Sequence, residues 1–441
     1  MSESAAPIDV PAFIADRPVG RFQWLVVWMC TLTVFLDGYD TQSVAFVAPS
    51  IAADWHLPAS QLGPIFVASL VGLLLGALGF GLLADRIGRR RMVIGCTLVF
   101  GLFTLGTAMA QSVPQLLVLR FLAGLGLGGG MPNAIALTAE YCPERRRSTL
   151  VMLMFTGFSL GGAASGGVAA ALIPDFGWRS VWVIGGVLPL LLVPLQLWKL
   201  PESIRFLLVS GAPRAQAARL LARIDPATPV PPDAVLHAGE APAAGVPVVQ
   251  LFTGGRALGT ILLWTMFFMN LLDLFFLQNW IPVITHGAGI PVTTAVLIRT
   301  LFQVGGTGSC LVVGWPMDRF SAYRVLPFMY GAGAILVAVL GHAGSSVSAL
   351  MVLTGLAGFC VVGGQNAANA LAAIFYPTSA RSTGVGWCLG IGRIGAIIGP
   401  LVGAFLVSLN WPTPSIFLLG AGPLAIATVA VTVMGARYRA R

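Results

Sequence analysis

Two carboxylates interrupt an apolar stretch near the start of this chain. The segment "LDGYDT" (36 to 41) lies between "WLVVWMCTLTVF" and "QSVAFVAP", so Asp37 and Asp40 fall within sequence whose composition suits lipid. A spacing of three residues places both acids on one face of a helix. Asp37 is about 20 Å along such a helix from Trp24, which is near the middle of a bilayer.

A charged carboxylate at that depth costs about 3 kcal/mol on insertion scales, so such groups usually face a polar cavity and have a function. Two acids on one face also repel each other, which favours sharing a proton. We predict that Asp37 and Asp40 serve proton coupling or gating. The alternative is a structural ion pair with an arginine of another span.

Three arginines are candidates for binding an anion. Arg393, in "GIGRIGAIIGP", lies about ten residues into an apolar stretch, and its guanidinium offers a fork that matches a carboxylate. We predict that it binds substrate, with pairing between helices as the alternative. Arg120 and Arg299 lie within one or two turns of a span end, where a long side chain reaches the interface at little cost. Arg120 is a candidate for substrate binding, with a structural role as the alternative, and Arg299 is a weaker candidate.

A further set of polar residues lies in the second half of the chain. Asp273 falls near the middle of its apolar stretch, with Asn270 on the same helical face. Gln365, Asn366 and Asn369 place three amides close together on another helix. We predict proton coupling or gating for Asp273 and substrate binding for Asn270, Gln365 and Asn366. Polar contacts between packed helices are the alternative.

Composition indicates which elements position these side chains. Hydrophobic residues make up 57% of the chain, charged residues only 9%, and the mean hydropathy is +0.88. Spans of about 20 apolar residues are expected of membrane helices, and we predict twelve of them in an all-α polytopic protein. Their starts lie near Trp24, Gln61, Met92, Gln115, Leu150, Val181, Leu258, Val292, Val325, Ser348, Thr383 and Ser415.

The distribution of basic residues predicts the topology. Of the 25 lysines and arginines, all but Arg120, Arg179, Arg299 and Arg393 fall on one side of the predicted spans. Basic residues near span ends stay in the cytoplasm, so we predict cytoplasmic termini in a cell inner membrane. The asymmetry accounts for the net charge of +9, which therefore does not indicate a nucleic-acid partner.

The chain contains an internal repeat. An offset of 233 residues relates Asp37, Asp40 and Pro49 to Asn270, Asp273 and Pro282. The same offset relates "GLLADR" at 81 to "GWPMDR" at 314, and an offset of 234 relates the two "RST" segments at 147 and 381. We predict six-helix halves at 1–200 and 258–441, joined by a cytoplasmic linker at 201–257. Two parallel repeats of this kind are the plan of many transporters.

Several motifs resemble a known family. "GLLADRIGRRR" (81 to 91), "RFLAGLGLGG" (120 to 129), "AEYCPERRRST" (139 to 149) and "PESIRFL" (201 to 207) resemble the major facilitator superfamily. Within it, "DGYD", "FFMNLLDLFFLQNWIP", "YPTSARSTGVGW" and "GIGRIGAIIGP" resemble the aromatic acid:proton symporters. The resemblance implies a cytoplasmic gate formed by charged residues at span ends. These are Asp85, Arg86, Glu140, Arg147, Glu202 and Arg381, with Asp318 and Arg319 as the repeat images of the first two.

Together these features predict a secondary transporter for proton-coupled uptake of aromatic carboxylates by alternating access. The alternatives are a proton-coupled porter of a sugar or another neutral solute, and a non-transporting sensor of the same fold. "GFSLG" (157 to 161) and "GIGRIG" (390 to 395) match enzyme motifs, but both lie inside predicted spans rather than at strand-to-helix turns. We therefore predict no enzymatic activity, no cofactor besides protons, no metal, and a monomer in the bilayer.

Overall fold

The computed structural model describes residues 8 to 438 except 16, 229, 232–233, 238–247 and 377–380. Within its helices, the side chains of residues 81–82, 85, 144, 148, 152, 310–311, 318, 373 and 381–382 also lie outside the description. Three predicted gate residues, Asp85, Asp318 and Arg381, are therefore outside the described side chains.

Long helices dominate the described chain. We number twelve of them in chain order: α1 (Arg21–Asp54), α2 (Leu62–Ile87), α3 (Arg89–Ala108), α4 (Val113–Tyr141), α5 (Glu144–Phe176), α6 (Arg179–Lys199), α7 (Ala257–Gly287), α8 (Val292–Val312), α9 (Ala322–Leu340), α10 (Val347–Phe375), α11 (Arg381–Ser408) and α12 (Thr413–Tyr438).

Counting only described residues, eleven of these helices are long and apolar enough to cross a membrane. The exception is α8, which occupies the position of the eighth predicted span but carries Arg299 and Gln303 among several threonines. The helices begin within a few residues of the predicted starts, which confirms the all-α membrane fold.

Part of the segment predicted as a linker is folded. Helices Ile204–Val209 and Arg214–Ile224 lie within it, and the two-residue strand Leu236–His237 pairs in parallel with Ile8–Asp9. The described chain also has a short helix at Val10–Ala15, another at Gly314–Phe320, and 3₁₀ turns at Ala59–Gln61 and Val248–Phe252.

An apolar face explains why this segment is ordered. Leu221 and Ile224 of the helix Arg214–Ile224 belong to one buried cluster with Val10 and Phe13. Nearby, Arg17 pairs with Asp225 at 2.6 Å, and this hydrogen bond lowers the pKa of Asp225 to about 2. This packing could not be predicted from the prolines and alanines of the segment, because they do not indicate a partner surface.

Packing groups the described residues into two compact units. The first comprises residues from 1–41, 71–161 and 182–242, and the second comprises residues from 42–70, 162–181 and 243–441. The division cuts α1, α2, α5 and α6. The C-terminal ends of α1 and α5 and the N-terminal ends of α2 and α6 belong to the second unit, together with α7 to α12. The predicted halves at 1–200 and 258–441 rest on the sequence repeat and stay a prediction.

Glycine contacts repeat the sequence symmetry. In the first unit, a Cβ at Gly161 of α5 would overlap the backbone carbonyl of Phe35 in α1. In the second unit, a Cβ at Gly395 of α11 would overlap the carbonyl of Phe268 in α7. These pairs are related by the offsets of 234 and 233 residues. The close approach of two backbones, which only glycine allows, is thus built at equivalent positions of both repeats.

Candidate functional site

A buried ion pair joins α1 to α4 in the first unit. Arg120 donates from Nη1 to Asp40 Oδ1 at 2.9 Å and from Nη2 to Oδ2 at 3.0 Å. Thr104 of α3 adds a hydroxyl donor to Oδ1 at 2.7 Å. Both charged side chains are fully buried. Three helices therefore meet at one carboxylate through charge-assisted hydrogen bonds.

This geometry differs from the interface position considered for Arg120. Its guanidinium carbon lies 5.4 Å from the ring centroid of Trp182, and its fork is directed at Asp40 rather than at a span end. Removing one member of such a pair leaves a buried charge uncompensated, which is strongly unfavourable.

Asp37 lies one turn before Asp40 and is also buried, with 3% of its surface exposed. The hydroxyl of Thr41 donates to its Oδ1 at 3.1 Å. Between the two acids, Gly38 packs so tightly that a Cβ there would overlap the backbone carbonyl of Phe158 in α5. The structure thus places both predicted acids on a helix held closely against α5.

Asp273 occupies the position in α7 equivalent to Asp40, but its surroundings are different. It is fully buried, and neither carboxylate oxygen has a hydrogen-bond partner among the described residues. At the offset of 233 residues, the repeat images of Arg120 and Thr104 are Leu353 and Val337, and Thr354 follows the first of these. The hydroxyl of Thr354 is likewise buried without a partner in the described part of the chain. The second repeat therefore keeps the acid and lacks both of its donors.

Three amide side chains of the second unit form a hydrogen-bonded chain that begins at Asn270, three residues before Asp273. Asn270 donates from Nδ2 to Gln365 Oε1 at 2.7 Å, and Gln365 donates to Asn369 Oδ1 at 3.2 Å. Asn270 is fully buried and its Oδ1 accepts no hydrogen bond from the described residues. The structure thus brings together Asn270 and Gln365, two of the predicted substrate residues.

The remaining predicted substrate residues of the second unit are more accessible. Asn366 is exposed, and Arg393 of α11 is half-buried. Gly392, beside Arg393, is buried, and a Cβ at Gly392 would meet the side chain of Leu271 in α7. Arg393 therefore projects from a helix that packs directly on the one carrying Asn270 and Asp273.

Arg299 lies in surroundings that differ from the predicted interface position. It is fully buried rather than extended to an interface. Its Nη2 donates to Gln42 Oε1 at 2.7 Å, and its Nε donates to the carbonyl of Gln278 at 3.4 Å. Its guanidinium carbon lies 4.5 Å from the ring centroid of Phe46. Helix α8 starts seven residues earlier, at Val292, which suggested snorkelling, but tertiary packing buries this turn.

Predicted gate residues gather in the first unit around a short connection. Glu140 lies 3.3 Å from Arg89 and accepts a hydrogen bond from the hydroxyl of Ser203. Glu202 accepts hydrogen bonds from the backbone of Arg90 and Ser203 at 3.0 and 2.9 Å. The two acids thus hold the start of α3 and the segment after α6 together.

The other described gate candidates lie at the surface. Arg147 donates to the carbonyl of Ala139 at 3.1 Å. Arg86 is exposed, and the exposed Arg319 lies 5.3 Å from the ring centroid of Trp315. The structure therefore brings Glu140 and Glu202 together around Ser203. The side chains of Arg147, Arg86 and Arg319 are exposed and do not join this cluster in the described residues.

Comparison with known proteins shows which family and which transporters this chain resembles. The model of the Major Facilitator Superfamily matches residues 30–353 and 263–440. The 4-hydroxybenzoate transporter of Pseudomonas putida is 44% identical, with 97% of this chain and 96% of the relative covered. A gallate transporter of the same species is 42% identical, with 99% and 97% covered. The benzoate transport protein of Acinetobacter baylyi is 33% identical, with 98% and 93% covered.

Solved structures show the same fold. The xylose transporter of Escherichia coli in an inward-open conformation aligns with a TM-score of 0.73. It is 18% identical, and the alignment covers 93% of this chain and 95% of that one.

Proposed function

Because this chain belongs to the Major Facilitator Superfamily, we propose that it is a secondary transporter that takes up aromatic carboxylates with protons by alternating access. The observation that carries the proposal is the buried Asp40–Arg120 pair, in a chain similar along 97% of its length to a 4-hydroxybenzoate transporter. The superfamily and these relatives are membrane transporters, which agrees with the prediction that the chain is not an enzyme.

The proposed substrate is a benzoate-type acid. The relatives are named for 4-hydroxybenzoate, gallate and benzoate, each of which has a carboxylate on an aromatic ring. Arg393 suits the carboxylate, because its half-buried guanidinium offers a bidentate fork. The amides of Asn270, Gln365 and Asn366 suit hydroxyl groups on the ring. Arg120, whose fork is engaged by Asp40, would act on substrate only after that pair separates.

Asp40 is the proposed proton site. A proton on its carboxylate would release Arg120, and loss of the proton would restore the pair. Asp37 would shape the path to it from the preceding turn. Asp273 is the reserve candidate, because it is the only other acid at an equivalent position of the repeat among the described residues.

The proposed orientation places both termini in the cytoplasm of a cell with an inner membrane, following the distribution of basic residues. The contacts of Glu140 and Glu202 around Ser203 then lie on the cytoplasmic side, where they suit a gate that breaks and reforms during the cycle. Protons are the proposed coupling ion, the bilayer and the aromatic acid the proposed partners, and a monomer the proposed state.

Uptake into energised membrane vesicles tests this function. Vesicles containing the protein should accumulate labelled 4-hydroxybenzoate or benzoate when a proton gradient is imposed, and a protonophore should abolish the accumulation. Labelled xylose and glucose serve as controls for the sugar-porter alternative. Accumulation of a sugar but no aromatic acid would overturn the proposal. Binding of aromatic acids without any transport would favour the sensor.

A further inference from the structure

Arg299 has no counter-charge among the described residues around its buried position. No carboxylate of the described residues lies within ion-pair distance of it, although its side chain is fully buried. Its partners are neutral oxygens of Gln42 and Gln278. A buried charge is normally paired or bound to a ligand, so this arginine is incomplete as a purely structural group.

Two hydrogen-bond donors remain unused beside this charge. Arg299 Nη1 and Gln42 Nε2 are buried, and neither has an acceptor among the described residues. Because Gln42 Oε1 already accepts from Arg299 Nη2 at 2.7 Å, both unused donors belong to one joined pair of side chains. Donors around a cation that has no ion-pair partner among the described residues provide the chemistry that recognises an anion.

Glycines of α5 make room for this arrangement. A Cβ at Gly162 would overlap the amide of Gln42, and one at Gly166 would overlap the hydroxyl of Thr300 and approach the ring of Phe46. The guanidinium carbon of Arg299 lies 4.5 Å from the ring centroid of Phe46, and its Nη1 has no hydrogen-bond partner among the described residues. An aromatic surface beside a cationic fork matches an acid whose carboxylate is attached to an aromatic ring.

We propose that Arg299 and Gln42 form a second carboxylate-binding site, on the periplasmic side of the transport path. Gln42 covers Arg299 in the conformation described here and exposes its fork when the periplasmic ends of α1 and α8 separate. The incoming aromatic carboxylate then replaces Gln42 as the acceptor. This inference rests on the proposed function and its orientation, and it adds a site of first capture to the contacts proposed for Arg393.

Arg299→Gln is the first test. The KM for uptake of labelled 4-hydroxybenzoate from the periplasmic side should rise at least about tenfold, the effect expected of losing hydrogen bonds to a charged group. The KM for entry from the cytoplasmic side, measured in inside-out vesicles, should change little. Competition by 4-hydroxybenzamide, which has the ring without the charge, should become nearly as effective as competition by the acid. Arg179→Gln removes an exposed arginine paired with Asp54 near the same end and is the matched control.

Variants of Gln42 separate an anion site from a structural link. Gln42→Glu would place a permanent carboxylate on Arg299, so the periplasmic KM should rise as it does in Arg299→Gln. Gln42→Ala uncovers the fork, so that KM should stay at or below the wild-type value. A link between helices predicts the reverse order, because Glu strengthens it and Ala removes it. These variants also decide the question if Arg299→Gln fails to insert into the membrane.

The possible failures are distinguishable. If the wild type takes up no aromatic acid, the proposed function fails and this site falls with it. If the wild type transports the acid and Arg299→Gln keeps its periplasmic KM and its preference for acid over amide, only the second site is overturned. The same conclusion follows if Gln42→Ala raises the KM and Gln42→Glu does not.

Discussion

Asp40 and Asp273 occupy equivalent positions of the two repeats, yet their surroundings differ in every polar contact. Asp40 receives two hydrogen bonds from Arg120 and one from Thr104. Asp273 receives none from the described residues, because Leu353 and Val337 stand at the equivalent positions. Both side chains are fully buried. Equivalent positions in the two repeats therefore do not give the two acids equivalent polar contacts.

Between the two repeats, helix packing at these positions is preserved more strictly than ion pairing. Gly161 and Gly395 make the same backbone contacts in their respective units, since a side chain at either would force two helices apart. A charge partner can be lost if the acid stays protonated, because a neutral carboxyl is far easier to bury than a carboxylate. We therefore expect substitution of Asp40 to disturb transport more than substitution of Asp273.

The largest effect is expected from Asp40→Asn. The amide cannot take up or release a proton, so accumulation of labelled 4-hydroxybenzoate against its gradient should be abolished. Counterflow, the exchange of labelled for unlabelled substrate, should persist in part because it needs no net proton movement. Both are measured in vesicles, with Asp54→Asn, an exposed acid at the end of the same helix, as the control. Accumulation with unchanged pH dependence would move the proton site elsewhere, and Asp273 would be tested next.

Arg120→Gln should destabilise the protein by about 3–5 kcal/mol, because it leaves Asp40 buried without its cation. Thermal unfolding in detergent measures the loss. The double variant Asp40→Asn with Arg120→Gln should recover most of that stability, since neither charge remains, while proton-driven accumulation stays absent. A double variant no more stable than Arg120→Gln alone would show that the ion pair is not the source of the effect.

Arg393→Lys sharpens the comparison by testing the cation on the helix that packs against α7. The second repeat lacks an arginine at the position of Arg120 and has Arg393 on α11, where the first repeat has Ser159. Lysine keeps the charge but loses the bidentate fork, so kcat/KM for uptake should fall at least about tenfold. Steady-state uptake kinetics provide the measurement. A wild-type KM in this variant would remove Arg393 from the substrate site.

The smallest effect is expected from Asp273→Asn. An amide has nearly the shape of a protonated carboxyl, so stability should change by no more than about 1 kcal/mol and accumulation should remain. Thermal unfolding and vesicle uptake are again the measurements, and Asp273→Ala is the matched comparison because it leaves a cavity. If Asp273→Asn abolishes accumulation while Asp40→Asn does not, the roles assigned to the two acids are reversed.

Much of this protein was predictable from local sequence patterns. Runs of about 20 apolar residues predict membrane helices because the backbone in lipid must satisfy its own hydrogen bonds. The described helices and the family match confirm that fold and the resemblance to the superfamily. The spacing of Asp37 and Asp40 also predicted two acids on one helix, and the structure places both in α1 with buried side chains.

The sequence by itself determined which side chains enter the membrane, since composition and helical period act within a single segment. Only the tertiary structure decided their partners. Arg120 and Asp40 are 80 residues apart, and Arg299 and Gln42 are 257 apart, and no local pattern specifies which helices meet. An arginine two turns from a helix end can extend to the interface or be buried, and the neighbours that pack around it decide between the two. For that reason Arg299 was the weaker candidate in the sequence, whereas packing of α1, α5 and α7 against α8 makes it a fully buried cation with an unused donor.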